Sequence, residues 1–277
     1  MKEEEKSILK VVGKRKLSAS ELETILKGIE QSAPQQRVTW EDYFGRRALF
    51  GVISDTHIGS KMFDYNFAEH VAKMFKKKGV EVVYHAGDIL EGMSGREGQV
   101  YELSEIGFES QMELAKKVIG GLFGSMDVRG INGNHDLWYM KKNDGGVNVG
   151  VNLMERCKNY THIGDMEANI KLHPRVTLKL FHANDGTAYA TSYKLQKLVE
   201  SFTGGEKPEV VFSGHYHKAM YMFLRNVHAF ESGTLCGQTD WMRGKKIPAH
   251  KGAWIVDMEL GKGGIGRVGC EFIPGYK

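Results

Sequence analysis

The chain has 277 residues, 41% of them apolar and 26% charged, and its 38 Lys and Arg against 34 Asp and Glu leave a net charge of +4. That balance excludes a disordered or fibrous chain, and no apolar run reaches the ~18 residues of a bilayer-spanning helix. A charge of +4 is too small to name a nucleic-acid partner, and three scattered cysteines, Cys157, Cys236 and Cys270, exclude a disulfide framework and a thiolate zinc site.

Residues 1–47 are charge-dense and read as a helical N-terminal arm, with the main domain spanning 48–277. Ser18 and Glu21 fit a capping box ahead of Leu22, Ile25, Leu26 and Ile29, which sit at helical spacing. Ile8, Leu9, Val11 and Val12 suggest an earlier helix, so the arm fits either a packing segment or half of a helix-turn-helix. The opening Met-Lys-Glu-Glu-Glu-Lys lacks signal-peptide character, and a cytoplasmic location without membrane contact is expected.

After Arg47 the texture changes. Ala48–Ser54 is a continuous apolar run, as for a buried strand. A helix is predicted over Phe67–Lys78, with Lys76-Lys77-Lys78 as its solvated end. A strand follows at Val80–His85, a helix at Glu109–Leu122, a strand at Asp127–Ile131 and a helix at Val147–Arg156. Further strands are predicted at Val176–His182 and Val210–Phe212, with a helix at Thr191–Ser201 between them. The tail reads as antiparallel strands at Tyr221–Leu224, Val227–Glu231, Ala253–Met258 and Gly269–Ile273. Gly264–Gly269 matches the dinucleotide fingerprint Gly-x-Gly-x-x-Gly, but no helix can follow it, so it reads as a hairpin turn. Alternating strands and helices followed by hairpins predict an α/β (α+β) fold with a mixed sheet or sandwich.

Polar clusters stand at the carboxyl ends of five predicted strands, where open α/β sheets bind ligands. They are Asp55-Thr56-His57, Gly87-Asp88, Gly133-Asn134-His135-Asp136, His182 and Gly214-His215-Tyr216-His217. Four of the eleven histidines, two aspartates and one asparagine thus form a mixed nitrogen and oxygen donor set without thiolate. Seven ligands exceed one tetrahedral ion and suit two divalent cations about 3.5–4 Å apart, which would acidify a bridging water and bind phosphoryl oxygens. His182 has Asn184 and Asp185 as nearby alternatives, and His85 reads as a core or supporting residue.

The ordered series Asp-x-His, Gly-Asp, Gly-Asn-His-Asp, His, Gly-His-x-His resembles the calcineurin-like metallophosphoesterases over roughly residues 48–232. The resemblance implies a β-sandwich flanked by helices and hydrolysis of phosphoester bonds. It implies that Asp55, His57 and His217 hold one metal, that Asn134, His182 and His215 hold the other, and that Asp88 bridges them. It further implies that His135 protonates the leaving group or stabilises the transition state, with Asp136 orienting it. Manganese is the first expectation for the two ions, with Fe, Zn, Ni or Mg as alternatives.

The substrate is expected to be a phosphodiester, DNA foremost. The Gly-Asp-x-x-Asp-Arg-Gly signature of Ser/Thr protein phosphatases departs here to Gly87-Asp88-Ile89-Leu90-Glu91-Gly92, without the phosphate-clamping Arg. The insertion 92–108, through Gly98, Gln99 and Tyr101 with Gln111 beyond it, is similar to that of SbcD-type exonucleases and of archaeal DNA polymerase small-subunit exonucleases. Arg96, Tyr101, Trp138 and Tyr139 are the candidate substrate-binding residues, with Lys141-Lys142, Trp241 and Arg243 nearby. Aromatic side chains interleaved with cations suit single-stranded nucleic acid. A phosphatase or phosphodiesterase of small nucleotides and an inactive DNA-binding scaffold are the alternatives.

Overall fold

The computed structural model describes residues 37–141 and 146–276. In chain order the elements begin with β1 (Trp40–Glu41), β2 (Arg47–Ile53), α1 (Tyr65–Lys78), β3 (Val82–His85), α2 (Phe108–Ala115) and β4 (Asp127–Asn132). Next come the single turn α3 (Trp138–Lys141), α4 (Val149–Arg156), β5 (Tyr160–Asp165), β6 (Glu167–His173), β7 (Val176–His182) and α5 (Tyr193–Ser201). The chain ends with β8 (Val210–Gly214), β9 (Ala219–Leu224), β10 (Val227–Ser232), α6 (Asp240–Gly244), β11 (Gly252–Gly261) and β12 (Gly264–Pro274).

Alternation along β2 shows how the layers form. Ala48, Phe50 and Val52 are buried toward a second sheet, while Leu49 and Ile53 meet the helices on the other face. The first sheet runs β12-β11-β2-β3-β4-β5, with β2 to β5 parallel, β11 antiparallel to β2 and β12 antiparallel to β11. The second runs β1-β6-β7-β8-β10-β9, in which β7, β8 and β10 are parallel. Between the sheets lie Phe50, Tyr84, Leu178, Phe212, Phe230 and Trp254 among others, each such side chain contributing about 1.5–3 kcal/mol by leaving water. The outer face of the first sheet is covered by α1, α2 and α4, through Phe67, Val71, Phe75, Met112 and Leu153. The result is the expected mixed α/β sandwich flanked by helices.

Local signals explain the ends of α1. The Asp64 side chain accepts the N–H of Phe67 at 2.9 Å and starts α1. Gly79, at φ 77°, ends it, and Lys76, Lys77 and Lys78 occupy the exposed last turn.

Four departures from the sequence expectations stand out. Residues 37–47 carry no helix, because Trp40 and Glu41 pair in parallel with Ile170 and Lys171. The expected arm helices lie in residues 1–36, outside the described residues, as does Lys142. β5 and β6 form strands in a stretch that was not expected to be regular, and the helix after Ala115 continues as a π-turn over Lys116–Leu122. Gly264–Gly269 falls inside β12, directly after the β11–β12 hairpin turn, with Gly264 at φ 105°.

Arg37–Ser201 with Pro208–Lys277 form one compact unit, and Phe202–Lys207, assigned to another, carry a 3-10 turn at Gly204–Glu206. Among the described residues no helix is long and apolar enough to cross a membrane.

Candidate metal centre

The five polar clusters converge as the strand order requires. Asp55 and His57 follow β2, Asp88 follows β3, Asn134 to Asp136 follow β4, His182 closes β7, and His215 and His217 follow β8. The first three come from one sheet and the last two from the other, so the carboxyl ends of both sheets meet at one rim.

Among the described residues three clusters of donor atoms form there, each with its atoms within 4.8 Å of one another: Asp55, His57 and His217; Asp88, His182 and His215; and His57, Glu91 and His135, which shares His57 with the first. The first two hold the expected ligands and form the first and second groups. In the first group the Nε2 atoms of His57 and His217 are 2.9 Å apart, with Asp55 Oδ1 3.3 Å from His217 Nε2. In the second, Asn134 Oδ1 lies 3.1 Å from His182 Nε2 and 2.9 Å from His215 Nδ1. Asp88 Oδ2 stands between the groups, 3.2 Å from His182 Nε2 and 3.7 Å from His57 Nε2.

The backbone is forced to deliver these atoms. Nine described non-glycine residues have positive φ, and five of them are Asp55, His57, Asp88, His215 and His217. Such conformations cost about 1–3 kcal/mol each and persist where the surroundings impose them. Glycine makes the approach possible. A Cβ on Gly133 would stand 2.1 Å from Asp88 Oδ1, and one on Gly87, at φ 94°, 2.4 Å from His182 Nδ1.

The far side of each imidazole decides which nitrogen faces the site. His182 Nδ1 donates to the Ala86 carbonyl at 2.8 Å, leaving Nε2 inward. His215 Nε2 donates to the Asp185 carbonyl at 2.8 Å, leaving Nδ1 inward. The Glu91 carboxylate stands 3.1 Å from His57 Nδ1. Backing by a carbonyl or carboxylate is the usual arrangement behind metal-binding histidines. With a thiolate-free, hard-to-borderline donor set, the residues fit divalent cations.

The charges agree. Burial lowers the affinity of His182 for a proton, but Asp88 and Asp55 outweigh it and bring the pKa to about 9. Burial likewise opposes protonation of His57, and Glu91, Asp88 and Asp55 raise it to about 9. Asp88 stays well below the ordinary carboxylate range although burial works against it, because His182 and His135 favour its charge. Burial, then the His182 charge, lowers His215 to about 4. The acidic set draws positive charge toward both groups.

His135 lies over the first group. Its N–H donates to Asp88 Oδ1 at 2.9 Å, and its Nδ1 pairs with the Glu91 carbonyl at 2.8 Å. The ring packs on Trp138, centroids 3.9 Å apart, and edge-on to His57 at 4.6 Å.

Asp136 does not touch the His135 ring. Its buried carboxylate accepts the N–H groups of Gly133, Ile89 and Leu90 at 2.8, 3.1 and 2.9 Å, locking the Asp88 loop to the β4 loop. Burial and the nearby Asp88 charge raise it to about 7. His85 is buried behind the site, with Nε2 3.0 Å from Thr56 Oγ1 and its pKa lowered by burial to about 3.

The donors open into a cavity of about 590 Å³ lined also by Arg96, Trp138, Tyr216 and Trp241. Arg96 pairs with Glu102 at 2.6 Å and lies 5.6 Å from the Trp241 ring centre. Glu102 also accepts the Trp241 N–H at 3.3 Å, joining the 92–108 insertion to α6. The insertion is pinned by Gln111, whose Oε1 accepts the Gly92 N–H at 2.9 Å.

Two expected substrate-binding residues are not at the cavity. Tyr139 is 2% exposed and packs on Phe108 in the helix-side core, because successive positions in the turn α3 point about 100° apart. Tyr101 is 79% exposed and lies outside the lining. Conversely, Glu91 and Asp185 stand at the centre without being among the expected site residues. Glu91 carried a signal, an acid three positions after Asp88. Asp185, weighed as a rival of His182, instead backs His215 and accepts the Tyr216 hydroxyl.

Residues 49–246 match the model of the calcineurin-like phosphoesterase superfamily domain, and the chain belongs to that superfamily. Similar solved structures include a novel archaeal phosphodiesterase, 14% identical over 82% of this chain and 100% of that one, TM-score 0.46. A predicted phosphoesterase of Streptococcus pneumoniae is 16% identical over 83% and 91%, TM-score 0.43. Vacuolar protein sorting 29 of Cryptosporidium parvum is 13% identical over 83% and 100%, TM-score 0.41. No curated protein matches the chain.

Proposed function

We propose that the chain is a phosphodiesterase dependent on two divalent cations, manganese foremost, and that it cleaves nucleic acid, DNA first. The carrying observation is the pair of three-residue donor groups with Asp88 between them. Asp55, His57 and His217 would hold one ion and Asn134, His182 and His215 the other, with Asp88 shared. When bound, such ions supply Lewis acidity to a phosphoryl oxygen and bring the pKa of a water down to about 7.

The chain's own groups do the rest. The Glu91 carbonyl occupies His135 Nδ1, so Nε2 is the nitrogen left to meet the substrate. It is the group placed to give a proton to the leaving oxygen. Trp138 and Trp241 offer aromatic faces along the wall, and Arg96 a guanidinium beside them, the combination that stacks bases and follows phosphates. A small cyclic or linear nucleotide is the second reading, supported by a cavity of about 590 Å³, within the usual ligand-pocket range of about 300–1,000 Å³.

One assay tests the choice. Protein reloaded with Mn²⁺ is given labelled single-stranded DNA, double-stranded DNA and a nucleotide panel. Shortening of DNA is expected; turnover of nucleotides with intact DNA would replace this reading by the second. Inactivity with every divalent metal, on a bis-aryl phosphodiester as well, would remove the enzyme reading.

A further inference from the structure

We infer that Glu91 is a positioning residue on which cation binding at the first donor group depends, through its carboxylate behind His57. The inference rests on the two-cation reading above.

The contrast between the two groups motivates it. In the second group the histidines are backed by main-chain carbonyls, those of Ala86 and Asp185. No side-chain replacement removes such partners. In the first group His57 is backed by a carboxylate, Glu91 Oε2, 3.1 Å from Nδ1. A carboxylate holds the tautomer that leaves Nε2 unprotonated toward the site, and its charge makes the imidazole a stronger donor. The first group therefore leans on an ionised side chain that can be changed alone.

Glu91 is built for this position. It is 7% exposed, and although burial works against its charge, His57 and then His135 hold its pKa below the ordinary value. Its main chain is held separately, since the N–H donates to the Ile58 carbonyl at 2.9 Å and the carbonyl receives His135 Nδ1 at 2.8 Å. A change of side chain leaves both main-chain bonds available. The same residue thus joins a ligand of the first group to the proposed proton donor.

The test uses the full-length chain with Mn²⁺ as the probe. Wild type, Glu91→Gln and Glu91→Asp are titrated with the ion, and bound Mn²⁺ is followed by elemental analysis and electron paramagnetic resonance. Wild type is expected to hold two ions with the signal of a coupled pair. Glu91→Gln should weaken one site by about 10–100-fold, the usual effect of removing an outer partner, and leave a single-ion signal. Glu91→Asp should fall between. The retained ion reports an intact fold. Two ions bound by Glu91→Gln as in wild type would overturn the inference, as would equal loss at both sites. A wild-type chain that binds no Mn²⁺ would instead overturn the two-cation reading itself.

Discussion

His57 Nε2 and His217 Nε2 stand 2.9 Å apart, brought together from the loops after β2 and β8. Against its burial, Glu91, Asp88 and Asp55 keep His57 protonated, with a pKa of about 9, so an Nε2–H of His57 donating to His217 Nε2 accounts for that distance. A divalent cation held by both Nε2 atoms would take the place of the shared proton between them. The strain at His57 and His217, with φ of 45° and 53°, goes into holding that pair.

Asp88 is the carboxylate nearest to both donor groups, 3.7 Å from His57 Nε2 and 3.2 Å from His182 Nε2. Asp88→Ala should release both cations and lower kcat/KM by more than about 100-fold, since metal assistance supplies several kcal/mol. Elemental analysis after desalting decides it. Two ions still bound would show that Asp88 bridges nothing.

His135→Ala should separate chemistry from binding. The His135 ring nitrogens make no contact shorter than 4.0 Å with Asp88 Oδ2, the shared carboxylate, so both cations should remain. Loss of a proton donor typically costs about 10²–10⁴-fold in rate. The deficit should shrink on a diester with a good leaving group such as p-nitrophenolate, which departs without a proton. An equal deficit on good and poor leaving groups would move His135 from proton transfer to another role.

The candidate ligands were legible because each motif is local. Asp55-Thr56-His57 and His215-Tyr216-His217 end apolar strands whose runs, such as Ala48–Ile53, announce burial. The second half of the centre was harder. His182 has no motif around it, and its place becomes clear only when β7 pairs with β8 and sets His182 beside Gly214. β6 alternates Ala168, Ile170 and Leu172 inward, yet β5 before it carries Thr161, His162, Gly164 and Asp165, and the two together lack a strand's apolar density. Trp138 and Tyr139 are adjacent and chemically alike. Only the turn α3 sends one to the cavity and the other to the core, and no spacing rule reaches a helix so short.

The wall of the cavity should discriminate substrates by size. Trp241 is 42% exposed with Arg96 beside its ring, and neither is among the donor groups. Trp241→Ala and Arg96→Ala should leave turnover of a bis-aryl phosphodiester within about twofold. On single-stranded DNA each should raise KM by about 5–150-fold, the equivalent of the 1–3 kcal/mol attributed to one stacked base. Steady-state kinetics on both substrates checks this. Equal losses on both would place the pair in support of the centre rather than in contact with substrate.

Glu231 ties stability to pH. It is 1% exposed on β10, and neither carboxylate oxygen has a hydrogen-bond partner among the described residues. Burial raises its pKa to about 8, against an opposing pull from Lys218 and with a further push from Asp55. Between the ordinary value of 4.5 and about 8, the folded chain keeps a proton here that the unfolded chain has lost. Stability contributed by this group is therefore complete below pH 4.5 and falls as pH rises toward 8, by up to about 1.4 kcal/mol per pH unit. Glu231→Gln should remove that slope, so chelator-treated variant and wild type should melt alike near pH 5, with the variant melting higher at pH 8. Thermal unfolding across that range measures it, and parallel curves would show that Glu231 is charged in the folded chain throughout.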